Sequence, residues 1–201
     1  MYAITDRHRC APTPLIDVVS ELLDAGVKAI QLREKDLSDI ALIKLAEPIA
    51  AACYNYKANL FINTHIHVAS DVGAAGVHLP ANAEPVGSVK ETETGDPCYI
   101  GCSVHSLDAA KKREAEGADF LTYSPIYPTA SKPGYGPAVG TARLAEVVEG
   151  VKLPVFALGG ITPVRVPECL TAGVFGVAVM SGVMPPKGAG TQAKRYLDAL
   201  C

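Results

Sequence analysis

The chain has 201 residues, a length typical of one ordinary domain. Apolar residues make up 49% and charged residues 19%, which excludes a disordered chain. The net charge of −3 and the pI near 5.9 argue against a general nucleic-acid or membrane-surface binder. Charges also interrupt every apolar run well before the roughly 18 residues that a membrane span needs.

The N-terminus and the cysteines predict a reduced, cytoplasmic protein. The opening MYAITDRHRC lacks a basic segment followed by an apolar stretch, so we expect no signal peptide. The six cysteines form neither a C-x-x-C pair nor a zinc-binding spacing. Cys53, Cys102 and Cys169 lie among apolar residues, and we predict that they belong to the core.

Short β-branched runs alternate with longer helical patterns along the whole chain. The predicted strands are, in chain order, Tyr2–Thr5, Ala29–Arg33, Asn59–Asn63, Gly76–Leu79, Cys98–Val104, Phe120–Ile126, Pro154–Leu158 and Gly176–Ser181. The predicted helices between and after them are Pro14–Ala25, Ser38–Cys53, Ile66–Gly73, a weak stretch at Val86–Thr92, Ser106–Glu116, Thr141–Glu149, Pro163–Ala172 and Ala189–Leu200.

Eight strand–helix units follow one another, each about 25 residues long. Strands alternating with helices at this spacing predict a parallel sheet. Eight units favour a closed (β/α)8 TIM barrel over an open doubly wound sheet. We therefore expect one barrel domain over residues 1–201, with Ser38 and Ser106 as caps at helix starts.

The chemistry of such barrels lies where the strands run into the loops that follow them. Strand alternation places Gln31, Arg33 and Lys35 on one face at the end of the second strand. A glutamine and two cations pointing together suit an anionic, hydrogen-bonding ligand. The alternative is a strand that ends in a solvated charge run.

Polar side chains also end the next three strands. Asn63 is predicted to hydrogen-bond a ligand, unless it only caps the following helix. The H-x-H pair after it lacks a third ligand, so we expect no metal site there. His78 suits a structural role as well as a site role. Ser103 can face the barrel mouth, but no G-x-S-x-G turn surrounds it, so a serine hydrolase is not expected.

The last three strands carry the clearest indication of a phosphate. The loop after the sixth strand, residues 124–136, is long and punctuated by Gly and Pro, which is typical of a binding loop. Glycines after the seventh strand and a Ser-Gly after the eighth resemble the common phosphate site of barrels. The loop donors are Thr129, Ser131 and Lys132, and the phosphate-binding set is Gly159, Gly160, Ser181 and Gly182. A small barrel that binds a phosphorylated small molecule is therefore predicted, with no carboxylate cluster for Mg²⁺.

Seven strings match one family in order along nearly the whole chain. They are YAITD, QLREK, GVHL, GCSVHS, SPIYPTASKPGYGP, ALGGITP and GVAVMSG. With them the chain resembles the thiamine phosphate synthase and TenI superfamily. The resemblance implies a (β/α)8 barrel in thiamine metabolism, a possible homodimer, and thiazole synthase as the upstream enzyme.

The resemblance also implies roles for the candidate residues. In synthases of this kind the residues matching Gln31, Arg33 and Lys35 contact a pyrimidine diphosphate. The matches to Asn63, Ser103, Thr129, Ser131 and Lys132 belong to the same site, and those to Gly159, Gly160, Ser181 and Gly182 hold the thiazole phosphate.

Two departures from the synthase pattern favour a TenI-like tautomerase. Thr64 and the segment Pro80–Ala83 stand where the pattern has the aspartates that bind Mg²⁺. A tautomerase needs no metal, because it aromatises a carboxythiazole phosphate by proton transfer. The TenI histidine after the sixth strand is replaced by Pro125. The proton-transfer candidates are then His78 and His105, with His78 favoured slightly because it ends a strand, followed by His65, His67 and Lys35. The alternatives are a synthase that holds Mg²⁺ by other means, and a non-catalytic binder of thiazole phosphate.

Overall fold

Eight parallel strands close into a barrel in the structure, a computed structural model that describes residues 1–90, 99–129 and 137–201. The strands pair in chain order, and β1 returns to β8 through the register Ala3↔Val179. The strands are β1 Tyr2–Ile4, β2 Ala29–Leu32, β3 Asn59–Asn63, β4 Gly76–Leu79, β5 Tyr99–Val104, β6 Phe120–Tyr123, β7 Val155–Leu158 and β8 Gly176–Val179. The predicted (β/α)8 barrel is confirmed.

Helices lie between the strands and after the last one. They are α1 Arg7–Cys10, α2 Leu15–Asp24, α3 Asp39–Asn55, α4 Ile66–Asp71, α5 Val86–Lys90, α6 Leu107–Ala115, α7 Gly140–Gly150, α8 Val166–Thr171 and α9 Ala189–Ala199. A turn of 3₁₀ helix, Pro163–Arg165, leads into α8. In the part of the chain that the structure describes, no helix is long and apolar enough to span a membrane.

Several predicted boundaries were wrong at the strand ends. β6 ends at Tyr123 rather than Ile126, because Pro125 has no N–H to offer a strand ladder. β2 and β8 likewise end before Arg33 and Ser181, so these side chains belong to the loops. The predicted strand start at Cys98 and the end of the predicted helix at Thr92 lie outside the described residues.

The short helix α1 was not predicted. Its four residues, Arg-His-Arg-Cys, show no apolar periodicity that could indicate a helix. The predicted burial of three cysteines is confirmed. Cys53, Cys102 and Cys169 are all buried, and Cys10 of α1 is buried with them.

An aromatic layer fills the half of the barrel that lies at the strand starts. Strand alternation sends these rings inward, where they meet edge to face at centroid distances of 5.2–5.8 Å. The layer comprises Tyr2, Phe61, Phe120 and Phe156. Gly101 makes room for it, since a Cβ there would lie 2.2 Å from the Phe120 ring. The rings therefore fill this half of the interior.

Hydroxyl caps begin two of the helices, as predicted. The Ser38 side chain accepts a hydrogen bond from the amide of Ala41, and that of Ser106 accepts from Ala109. Each cap satisfies one backbone donor that the first helical turn leaves unpaired.

Replacing the cap of α6 should destabilise the barrel measurably. For Ser106→Ala we expect a loss of about 1 kcal/mol in the free energy of unfolding, because the Ala109 amide loses its acceptor. Ser106→Asp keeps an acceptor and serves as the matched control. Urea unfolding compares the three proteins, and equal midpoints for Ser106→Ala and the wild type would contradict the cap's role.

Candidate functional site

A cavity of about 420 Å³ opens at the carboxyl ends of the strands, above the aromatic layer. Every strand or the loop after it contributes to its wall, as the closed barrel requires. The lining residues are Ile4, Gln31, Arg33, Lys35, Asn63, His78, Pro80, Ala81, Asn82, Ser103, His105, Ser124, Pro125, Thr129, Leu158, Gly159, Gly160, Ile161, Ala178, Val179, Met180 and Ser181.

Most of the residues predicted for the site lie in this one wall. Those that line the cavity are Gln31, Arg33, Lys35, Asn63, His78, Ser103, His105, Thr129, Gly159, Gly160 and Ser181. Gly182 does not line it, and a Cβ at Gly182 would lie 2.2 Å from the hydroxyl of Tyr196 instead. Ser131 and Lys132 lie outside the described residues. The roles of these side chains stay predictions.

Two cations stand side by side in the cavity wall. Repulsion by the positive charge of Arg33, together with burial, lowers the pKa of the Lys35 ammonium. Neither side chain forms an ion pair with any residue that the structure describes. Two cations with no carboxylate partner attract anions, which fits the anionic ligand predicted for these residues.

The carboxylate next to them in sequence faces the other way. Glu34 is buried, accepts a hydrogen bond from the Thr5 hydroxyl at 2.7 Å, and pairs with the Arg7 guanidinium at 3.1 Å. The Thr5 hydroxyl also accepts from the Arg33 amide at 2.9 Å. The negative charge of Glu34 is thus paired with Arg7 of α1 rather than with the neighbouring cations. The same contacts fix the chain after β2, so that Arg33 and Lys35, on either side of Glu34, face the cavity.

His78 joins the cavity to the aromatic layer. Its Nε2 lies 3.0 Å from the Ser103 hydroxyl and 3.3 Å from that of Thr122, while its Nδ1 lies 3.3 Å from the Tyr2 hydroxyl. The Tyr2 hydroxyl in turn accepts from Gln31 at 3.1 Å. Burial, and secondarily the charge of Arg33, lowers the pKa of His78 to about 3, so the ring is neutral near pH 7.

His105 lies closer to the barrel mouth and is only half-buried. Its Nδ1 lies 2.8 Å from the carbonyl oxygen of Ser124. A carbonyl oxygen can only accept, so Nδ1 carries the proton of this hydrogen bond. The contact orients the imidazole at the wall of the cavity.

Backbone amides after β7 supply a second place for an anion. Gly159 and Gly160 have φ angles of +100° and +64°, which an L side chain rarely adopts. The amides of Gly160 and Ile161 have no hydrogen-bond acceptor among the described residues, although both residues line the cavity. Successive free amides in such a turn form an anion-binding concavity, and Ser181 lines the cavity beside them.

The donors in the cavity wall do not fit a Mg²⁺ site. Mg²⁺ is usually held by one or two carboxylates together with substrate phosphates, and the described wall contains neither Asp nor Glu. Residues 1–90, 99–129 and 137–201 contain no group of three or more His, Cys, Asp or Glu side chains that could hold a metal ion. Thr64 has a φ of +69°, and its hydroxyl accepts a hydrogen bond of 2.8 Å from the side-chain amide of Asn63.

Three residues around the site were not predicted from the sequence. Tyr2 and Thr122 hydrogen-bond His78, and the Ser124 carbonyl orients His105. The period of two could have revealed Thr122 and Ser124, because they follow the inward Phe120 at alternate positions of one strand. Tyr2 carries no such signal, since an inward tyrosine in an apolar strand resembles any other core residue.

The structure is a (β/α)8 barrel whose cavity wall carries two cations and two backbone amides that are unpaired among the described residues. A family model described as thiamine monophosphate synthase matches residues 1–183. A putative thiamine-phosphate synthase of Geobacter sulfurreducens is 40% identical over 200 residues, covering 100% of this chain and 93% of that protein. A putative thiamine-phosphate synthase 2 of Aquifex aeolicus is 44% identical over 182 residues, covering 90% and 95%.

A solved structure agrees with these relatives. The thiamine phosphate pyrophosphorylase from Pyrococcus furiosus superposes with a TM-score of 0.89 at 32% identity, covering 99% of this chain and 94% of that one. The chain belongs to the thiamine monophosphate synthase family. The superfamily resemblance is confirmed, whereas the closer resemblance to TenI finds no support in the names of these relatives.

The buried neutral His78 predicts a distinct pH dependence of stability. Its pKa is lowered from 6.5 to about 3 in the folded protein, so between these values the unfolded chain binds the extra proton. The stability that neutral His78 contributes is complete above pH 6.5 and is lost as the pH falls towards 3. The slope from this one group is about 1.4 kcal/mol per pH unit.

Urea unfolding between about pH 6 and about pH 4 tests this slope. Because carboxylates titrate in the same range, the relevant quantity is the difference between the wild type and His78→Gln. We expect the wild type to lose stability more steeply than this variant, with His67→Gln, at an exposed histidine, as the control. Parallel curves for the wild type and His78→Gln would contradict the burial argument.

Proposed function

We propose that the chain is a thiamine phosphate synthase that joins hydroxymethylpyrimidine diphosphate to thiazole phosphate. The observation that carries the proposal is that one cavity wall holds two separate groups of donors suited to anions. Arg33 and Lys35 form one of them, and the amides of Gly160 and Ile161 form the other. Two phosphorylated substrates that must meet need such a pair of sites.

The names of the relatives reverse the order of the hypotheses that the sequence suggested. The tautomerase stood first because Thr64 and the segment Pro80–Ala83 replace the metal-binding aspartates. Relatives at 40% and 44% identity are named as putative synthases, which supports the synthase over the tautomerase. If the chain is a synthase without these aspartates, other residues must neutralise the charge of the diphosphate.

The two cations in the loop after β2 are suited to neutralise that charge. In the proposed reaction the bond between the pyrimidine methylene carbon and the diphosphate oxygen breaks, and a bond from that carbon to the thiazole nitrogen forms. The diphosphate leaves with the electron pair of the broken bond. Arg33 and Lys35 would stabilise the charge that develops on it, since preoriented charges in a cavity act strongly on a transition state.

A fluorescence assay for thiamine phosphate tests the proposal. The wild type, supplied with both substrates and Mg²⁺, should form product, and Lys35→Met should lower turnover on the order of 100-fold because one cation is lost. Lys44→Met, at an exposed lysine of α3, is the matched control and should keep wild-type turnover. No product beside a working synthase, or full activity of Lys35→Met, would reject this function.

The second candidate is the metal-independent tautomerase, which the carboxylate-free wall of the described cavity favours. In this reaction a proton leaves one ring position of the carboxythiazole phosphate and returns at another, so that the ring becomes aromatic. His105 suits this transfer better than His78, because the lowered pKa of His78 leaves that ring a poor base. Thiazole synthase would then supply the substrate.

Aromatisation of the carboxythiazole phosphate separates this candidate from the first. If the chain is a tautomerase, His105→Gln should slow the reaction on the order of 100-fold, while His67→Gln, at an exposed histidine, should not. An uncatalysed rate in the presence of the wild type would reject the tautomerase. Tight thiazole phosphate binding without turnover in either assay would indicate the non-catalytic binder.

A further inference from the structure

Arg165 reaches from the 3₁₀ turn back to the amide site after β7. Its Nη1 donates a hydrogen bond of 2.6 Å to the carbonyl oxygen of Gly160. Its guanidinium carbon lies 4.4 Å from the centre of the Tyr127 ring. Arg165 forms no ion pair with a carboxylate among the residues that the structure describes. Its partners are therefore a backbone oxygen and an aromatic face.

The contact between Arg165 and the Gly160 carbonyl also fixes the orientation of the Ile161 amide, because the two belong to one peptide plane. In a trans peptide the C=O and the following N–H point in opposite directions. The Gly159 carbonyl accepts from the Tyr127 amide at 3.0 Å, which aims the Gly160 amide away from Tyr127. The Gly160 carbonyl accepts from Arg165, which aims the Ile161 amide away from Arg165 in the same manner. Both carbonyls are bound by residues that do not line the cavity, whereas both free amides belong to residues of its wall.

Tyr127 is itself held from the far side. Its hydroxyl donates to the Glu168 carboxylate at 2.6 Å, and the Thr141 hydroxyl donates to the other oxygen of Glu168 at 3.1 Å. The face of the Tyr127 ring thus has a set position for the guanidinium to lie on. A planar cation over an aromatic face is a geometry that arginine forms more readily than lysine.

We propose that Arg165 is a positioning residue, which orients the Gly160 and Ile161 amides for the phosphate of the thiazole ligand. Arg165 does this by holding the Gly160 carbonyl against the face of Tyr127, without touching the ligand. The inference rests on the proposed thiazole phosphate ligand, and it holds equally for the synthase and for the tautomerase.

Calorimetric titration with thiazole phosphate and with the corresponding thiazole alcohol tests the proposal. Arg165→Met should weaken the phosphate ester about tenfold, since a charge-assisted hydrogen bond contributes on that scale, and should leave alcohol binding within about twofold. Arg165→Lys keeps the charge but lacks the planar group, so it should lose affinity for the ester about threefold or more. Arg195→Met removes an exposed arginine and is the control for net charge.

The outcomes separate the inference from the function on which it rests. A wild type that binds ester and alcohol equally would overturn the phosphate ligand itself, and the inference with it. If the wild type prefers the ester, equal weakening of both ligands in Arg165→Met, or full affinity in Arg165→Lys, would overturn the positioning role alone.

A second measurement needs no variant, in case Arg165→Met does not fold. Titration of the wild type with inorganic phosphate, followed by amide NMR, should shift the Gly160 and Ile161 signals first. Unmoved amides at saturating phosphate would overturn the proposal.

Discussion

A layer of four aromatic rings is the constraint on which the rest of the site depends. Every second side chain of a closed parallel barrel points inward, so the interior must be filled or left open. The rings of Tyr2, Phe61, Phe120 and Phe156 fill it at the strand starts. Asn63 and Ser103, two positions after Phe61 and Gly101, therefore point into the cavity above the rings. His78 couples the two layers, because it touches the rings and the cavity hydroxyls at once.

The direction of the backbone after β2 places positive side chains in the cavity wall and a negative side chain outside it. Glu34 turns outward to Thr5 and Arg7, whereas Arg33 and Lys35 turn inward without a carboxylate partner in the described chain. On the far side, backbone amides replace charged side chains. The result is a wall with two cations on one side and backbone amides, unpaired within the described residues, on the other, and the proposed pair of phosphorylated substrates rests on this arrangement.

The sequence predicted the barrel and most of the cavity wall, because both follow from strand alternation and from where parallel strands end. It did not predict α1 or the outward turn of Glu34, which depend on tertiary contacts to Thr5 and Arg7. The sequence favours His78 slightly over His105, but their difference lies in burial and in the partners that the fold supplies, which the sequence does not show. The sequence motifs alone also did not decide between a synthase and a tautomerase. The missing aspartates pointed one way, and the overall similarity to named synthases points the other.

The proposed function requires that a phosphate binds the amides after β7 while Arg33 and Lys35 bind a different anion. A crystal structure of the chain with thiazole phosphate is the decisive measurement. We expect phosphate oxygens within hydrogen-bond distance of the Gly160 and Ile161 amides, with the two cations left for a second ligand. Phosphate bound against Arg33 and Lys35, with the amides unoccupied, would contradict it.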